Sequence, residues 1–157
     1  MFDEANGEVP AMIRQGQLTD EIATRIPERV TGDWSRLEFE PRMLSMYSQM
    51  RIDVTFSDGT VGYALPPHEV TDLLEELRKV MYQEEAGTWF SSRWVLQKSG
   101  SGDIDLDVTF NFDSEPEWSR PISPSNYALD FEDFPRSSEN VPSWLHERIQ
   151  EAERERK

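Results

Sequence analysis

The chain has 157 residues, enough for one domain to bury roughly two-thirds of its unfolded surface and hold a core without covalent staples. It contains no cysteine, which excludes disulfides, thiolate zinc sites and cysteine nucleophiles and fits a reducing compartment. Sixteen basic against 31 acidic side chains leave a formal net charge of −15, which argues against phosphate backbones and anionic lipid as partners and favours a cationic one.

The opening run MFDEANGEVPAMIRQGQ lacks the basic start and apolar core of a signal peptide, and no stretch approaches the roughly 20 apolar residues of a membrane span. A soluble, cytoplasmic protein is expected. Met12, Ile13, Leu18, Ile22, Ala23 and Ile26 recur at near-helical spacing, which predicts a helix from about Glu8 to Ile26, stopped by Pro27. Trp34, Leu37 and Phe39 begin a strand region. Ile52, Val54 and Phe56 alternate well enough to predict a second strand antiparallel to it. Ser57-Asp58-Gly59-Thr60 is a hairpin turn leading into a short strand through Val61 and Tyr63, so a meander forms.

Val70, Leu73, Leu74, Leu77, Val80 and Met81 then mark the most regular helix of the chain, with proline at its start and Gly87 beyond its end. TWFSSRWVLQ offers Phe90, Trp94 and Leu96 to one face of a strand, KSGSGD turns the chain, and DIDLDVTFNFDSEPEW returns as the partner strand. SPSNYALDFEDFP reads as a short helix and VPSWLHERIQEAERERK as a terminal one, with Pro142 in its first turn. Helices segregated against an antiparallel sheet make an α+β fold, and the absence of repeats or a low-complexity linker makes 1–157 a single domain.

The returning strand raises the functional question. Between Lys98 and Arg120 there is no basic residue, while Asp103, Asp105, Asp107, Asp113, Glu115 and Glu117 all fall in that interval. Alternate carboxylates on one strand face stand roughly 6.8 Å apart, too far to converge on one ion, and no calcium-loop spacing is present, so no metal or cofactor is expected. Neither His68 nor His146 belongs to a nucleophile or metal motif, and Gly100 and Gly102 form a turn rather than a phosphate loop. No catalytic residue is assigned. Two readings of the row stay open on the residues alone. One is the solvated side of a half-buried sheet. The other is a docking surface, because like charges crowded on a strand repel and a basic partner would relieve them. Trp118 and Tyr127 then stand either as aromatic anchors within the acidic rim or as a satellite core beneath the carboxy-terminal loops. Trp89 and Trp94 are expected in the core.

The stretches MYQEEAGTWFSSRWVL, DIDLDVTFNFDSEPEW and SPSNYALDFEDFPRSSENVPSWL, in that order over roughly residues 66 to 149, resemble the YezG-like immunity (antitoxin) proteins of bacterial polymorphic toxin systems. Gly87, Trp89-Phe90, Phe112-Asp113-x-Glu115-Pro116-x-Trp118, Tyr127, Asp130, Phe134-Pro135-Arg136 and Pro142-x-Trp144-Leu145 carry the likeness. Residues 1 to 65 match only in outline. The resemblance implies a cytoplasmic α+β protein without enzymatic activity that binds and neutralises a cognate secreted toxin, commonly a nuclease domain. It brings no catalytic set, and Pro116, Pro135, Arg136 and Trp144 are positions the fold itself can require.

On this reading Asp105, Asp107, Asp113, Glu115 and Glu117 pair with toxin lysines and arginines while Trp118 anchors. The basic groove of a nuclease complements a chain of −15. An acidic export chaperone, a carboxylate hydrolase and a nucleic-acid mimic are the rivals. They differ in binding a leader segment, in turnover, and in inhibiting several unrelated nucleases. The residues set no oligomeric state.

Overall fold

The computed structural model describes residues 9–156. Helix α1 (Ala11–Arg25) ends in a 3-10 turn, Ile26–Arg29, built around Pro27. The helix predicted from Glu8 thus begins a little later, and Glu8 itself lies outside the described residues. Strands β1 (Trp34–Phe39), β2 (Arg42–Leu44), β3 (Tyr47–Gln49), β4 (Ile52–Phe56) and β5 (Val61–Ala64) follow, then helix α2 (Glu69–Val80). Strands β6 (Ser91–Lys98) and β7 (Ile104–Asn111) precede α3 (Ser125–Asp133) and α4 (Ser143–Glu155). The β4–β5 turn is the predicted one: Gly59 has φ +87°, and the Asp58 carboxylate accepts from the N–H and hydroxyl of Thr60.

Every strand pair is antiparallel. β4 lies between β1 and β5, and β1 lies between β4 and β6. β6 also pairs with β2 at Arg42↔Ser91, and along its other side with the whole of β7. The chain is therefore an α+β fold with helices flanking a 7-stranded sheet. Register decides the faces. Leu37, Phe39, Ile52, Val54, Trp94 and Leu96 share one side of the sheet and pack against Leu18 and Ile22 of α1 and Val70, Leu74 and Leu77 of α2. Full burial of one such aliphatic side chain contributes roughly 1.5–3 kcal/mol. A register shift between Trp34 and Arg36 turns Trp34 to the same side as Leu37. In α2, Glu69 and Asp72 sit in the first turn and Arg78 and Lys79 in the last, matching the helix dipole.

A second, smaller core forms beyond the end of β6. Leu44, Phe90, Tyr127 and Leu145 are buried there, with Trp118, Ile122, Phe131, Val141, Trp144 and Ile149 packed around them. Tyr127 is thus a core residue, as the satellite-core reading has it. Phe90 is the exception to the expected face sharing with Trp94 and Leu96. It precedes β6, and its N–H donates to Asn111 O at 2.8 Å, which diverts its ring to the second core, edge-on to Trp144 at 5.2 Å.

Two buried arginines join the cores. Arg78 meets Asp130 of α3 through two hydrogen bonds of 2.7 and 3.1 Å, with its Nε donating to Trp89 O at 2.8 Å. Arg136 donates to the carbonyls of Thr88, Phe112 and Asn140 and lies over the Phe90 ring. Periodicity could not reveal either: Arg78 falls on the flank of an amphipathic stripe, and its acceptors come from distant parts of the chain.

Candidate functional site

With helices on one side, the other side of the sheet is left open. Cross-strand register places on it Asp53 and Thr55 from β4, Arg36 and Glu38 from β1, Arg93, Val95 and Gln97 from β6, and Asp105, Asp107 and Thr109 from β7. The alternation of apolar and polar residues along each strand produces this division. The segment after β7 then folds over one end of the open face. Asn111 starts the bend by bonding both the N–H and the C=O of Ser114. The loop is held down at its far end, where Ser119 N–H donates to Gln49 Oε1 at 3.0 Å and the Trp118 ring leans on Tyr47 at 5.3 Å.

The result is an open cleft of about 710 Å³ between the sheet and that loop. Glu38, Glu40, Asp53, Arg42 and Arg51 contribute to its floor, and Glu117, Trp118 and Ser119 form a wall. The floor is of mixed sign. Arg42 pairs with Glu40 at 3.3 Å, Arg51 with Asp53 at 3.0 Å, and Glu38 takes both Arg36 and Arg93. Glu38, Glu40 and Asp53 were not singled out from the sequence. Their signal was present, because they alternate with the core residues Leu37, Phe39, Ile52 and Val54, but it is no different from that of any solvated strand face.

The predicted interface residues separate into two groups. Asp105 and Asp107 lie exposed on the open face of β7, opposite Gln97 and Val95, and Glu117 is exposed on the cleft wall. Among the described residues none of the three pairs with a lysine or arginine, although pairs occur at neighbouring Glu38, Glu40, Asp113 and Glu115. The other group is engaged within the chain. Asp113 is 83% exposed at its side chain but meets the buried Arg136 at 3.2 Å. Glu115 receives Arg148 of α4 through bonds of 2.9 and 3.2 Å and also accepts from the Tyr127 hydroxyl at 3.0 Å. Trp118 donates its indole N–H to Tyr127 Oη at 2.8 Å, so its ring is a fixed wall of the cleft. Part of the charge compensation expected from a partner is therefore supplied by the chain itself.

These contacts leave electrostatic traces. Burial pushes the Tyr127 hydroxyl up to about 12, opposed by the hydrogen bond from Trp118. The hydrogen bond with Glu115 holds the Arg148 guanidinium above its ordinary value. Burial lowers that of Arg136, with Asp113 acting against it.

Among the described residues no three His, Asp or Glu side chains are grouped so as to hold a metal ion. His68 and His146 are both exposed. Arg136 and Trp144, two of the matched positions, have structural contacts: Trp144 donates its indole N–H to Asp113 O at 2.7 Å. No described helix is long and apolar enough to cross a membrane. No protein-family model matches the chain, and no curated protein is significantly similar to it.

Proposed function

We propose that this protein is an immunity protein of the YezG-like kind, which binds a cognate secreted toxin through the open sheet face and neutralises it by covering its basic surface. The observation that carries the reading is that Asp105 and Asp107, exposed on the open face of β7, and Glu117, exposed on the cleft wall, hold no lysine or arginine among the described residues, in a chain of net charge −15. Carboxylates on the floor that already hold arginines gain less from a cationic partner than these three do, because a pair formed within the chain must be broken or shared first. A nuclease domain is the best-matched toxin, since its phosphate-binding groove is basic. Neutralisation by occlusion needs no turnover, cofactor, nucleic acid or membrane. It takes place in the cytoplasm, where such a toxin would attack the cell that makes it.

Asp105, Asp107 and Glu117 are the contact residues of this interface, with Trp118 as its preformed wall. Asp113 and Glu115 act mainly by fixing the loop that carries them. The second reading, an acidic export chaperone, is favoured by the free outer edge of β7, which suits an extended leader segment.

The test is capture of partners by the immobilised protein from its own host with toxin expression permitted, washed at low and at high salt. Recovery of one protein with a basic, toxic domain, released by salt and protected against in an activity assay, is the expected outcome. Binding confined to a leader segment, with the toxic domain left active, would transfer the assignment to the chaperone.

A further inference from the structure

Among the described residues, strand β7 has β6 on one side and no strand on the other, although it runs for 8 residues. Ser99 N–H donates to Asp103 O at 2.8 Å, which sets the alternation of the antiparallel ladder. In that alternation the backbone groups of Asp105, Asp107 and Thr109 face β6, and those of Ile104, Leu106, Val108 and Phe110 face outward. An exposed row of N–H and C=O groups is a template for another strand.

The side chains on this edge are of two kinds. Val108 and Phe110 pack against the main core and anchor one end, whereas Ile104 and Leu106 are 48% and 39% exposed beyond the cover of the helices. On the opposite face stand Asp105 and Asp107, without a basic partner among the described residues. The edge at β5 is different. β5 has 4 residues and presents Val61 and Tyr63, with Arg51 lying over the Tyr63 ring at 4.3 Å.

We infer that the free edge of β7 takes an extended segment of the partner protein as an added antiparallel strand, in which basic side chains opposite Asp105 and Asp107 alternate with apolar ones opposite Ile104 and Leu106. The inference rests on the cationic-partner reading above and names how that partner is held. Main-chain hydrogen bonds to the outward groups supply affinity, and the two side-chain rows supply selectivity. Facing side chains in such a pair are roughly 4.5–5.5 Å apart, close enough for direct ion pairs. The same charges reject a second copy of this chain. Antiparallel pairing of two β7 strands about Leu106 sets Asp105 against Asp107 of the other copy, and like charges directly opposite are destabilising.

The probe is a short capped peptide in which lysine alternates with valine, titrated into the full-length protein while backbone amide signals are followed by NMR. Binding at low salt with protection of the Ile104, Leu106 and Val108 amides is expected. Two isomers separate strand addition from simple charge attraction. In the antiparallel pairing the valine N–H groups point at β7, so methylating them should weaken binding at least roughly tenfold, while methylating the lysine N–H groups should spare it. Leu106→Pro removes an outward N–H without touching the β6 ladder and should weaken binding similarly, with the fold checked by circular dichroism.

Equal binding of both isomers would overturn strand addition while leaving a cationic partner in place. Loss with the lysine isomer alone would overturn the antiparallel pairing. Failure of the unmodified peptide to bind would overturn the inference, and the capture of a toxin would stand or fall separately.

Discussion

Arg78 and Asp130 form a two-pronged ion pair at 2.7 and 3.1 Å whose side chains are 3% and 5% exposed, linking the helix that covers the main sheet to the helix that closes the second core. Asp130 also accepts from the N–H and hydroxyl of Ser45 at 2.8 and 3.1 Å, so one carboxylate ties together α2, α3 and the β2–β3 turn. Removing one partner of a buried pair strands the other charge, which costs about 3–5 kcal/mol. Arg78→Ala and Asp130→Ala should each lower Tm by ten degrees or so in thermal unfolding at the scale expected for a chain of this size. Replacing both, by Met and Leu, strands no charge and should cost markedly less. A double-mutant cycle in urea measures the difference.

Tyr127 makes stability fall in alkali. Its folded value is pushed up to about 12 by burial, above the ordinary tyrosine value of 10.0. A raised folded value means that the unfolded chain gives up the proton first, so the contribution is fully present below pH ~10 and is lost as pH rises toward ~12. Ultraviolet titration of tyrosinate should show one of the tyrosines ionising late. Tyr127→Phe should abolish that late step, and it should lower stability at neutral pH because Trp118 and Glu115 lose their shared partner.

Gly87 and Gly16 should respond in opposite directions to alanine. Gly87 has φ +80°, and a Cβ there would come within 2.9 Å of Arg136 Cγ and Cζ. Gly87→Ala should therefore destabilise by more than the ~1–2 kcal/mol of left-handed backbone strain alone, because Arg136 must also shift away from Thr88 O and Phe112 O. Gly16 lies within α1 with nothing inside 4 Å of its Cβ position, so Gly16→Ala should stabilise by roughly 0.5–1 kcal/mol. Chemical denaturation of the two variants gives both signs directly.

The two groups of carboxylates should separate in association kinetics. Converting Asp105, Asp107 and Glu117 together to their amides should slow association with the proposed toxin partner at low salt by roughly tenfold and flatten its salt dependence, with Tm unchanged. Glu115→Gln should do the reverse. It breaks a partly exposed pair with Arg148, so it should lower stability by at most about 1 kcal/mol and leave the salt slope in place. Stopped-flow association at two ionic strengths, beside a thermal scan, checks both.

The main helix and the hairpins were legible because their residues carry a period. Val70, Leu74 and Leu77 repeat at helical spacing and are fully buried, and the alternation from Ile104 to Asn111 is the observed strand in full register with β6. The acidic row was equally legible as a pattern. Its division was not: Glu115 and Glu117 are two residues apart and look alike in the sequence, yet Glu115 is held by Arg148 and Tyr127 while Glu117 is exposed on the cleft wall. Phe90 was misplaced for a related reason, since a period cannot register the change of direction before β6.

The sequence by itself determined the α+β class, the order of most elements, the location of the acidic strand and the strong negative charge, because each is a local or additive property of the residues. Only the tertiary structure decided which carboxylates are available. Ion pairing depends on approach in space, and the arginines that claim Asp113 and Glu115 lie 23 and 33 residues further along the chain. The free edge of β7 is also a tertiary outcome, because a strand becomes an edge only through the absence of a neighbour, which no pattern within the strand records.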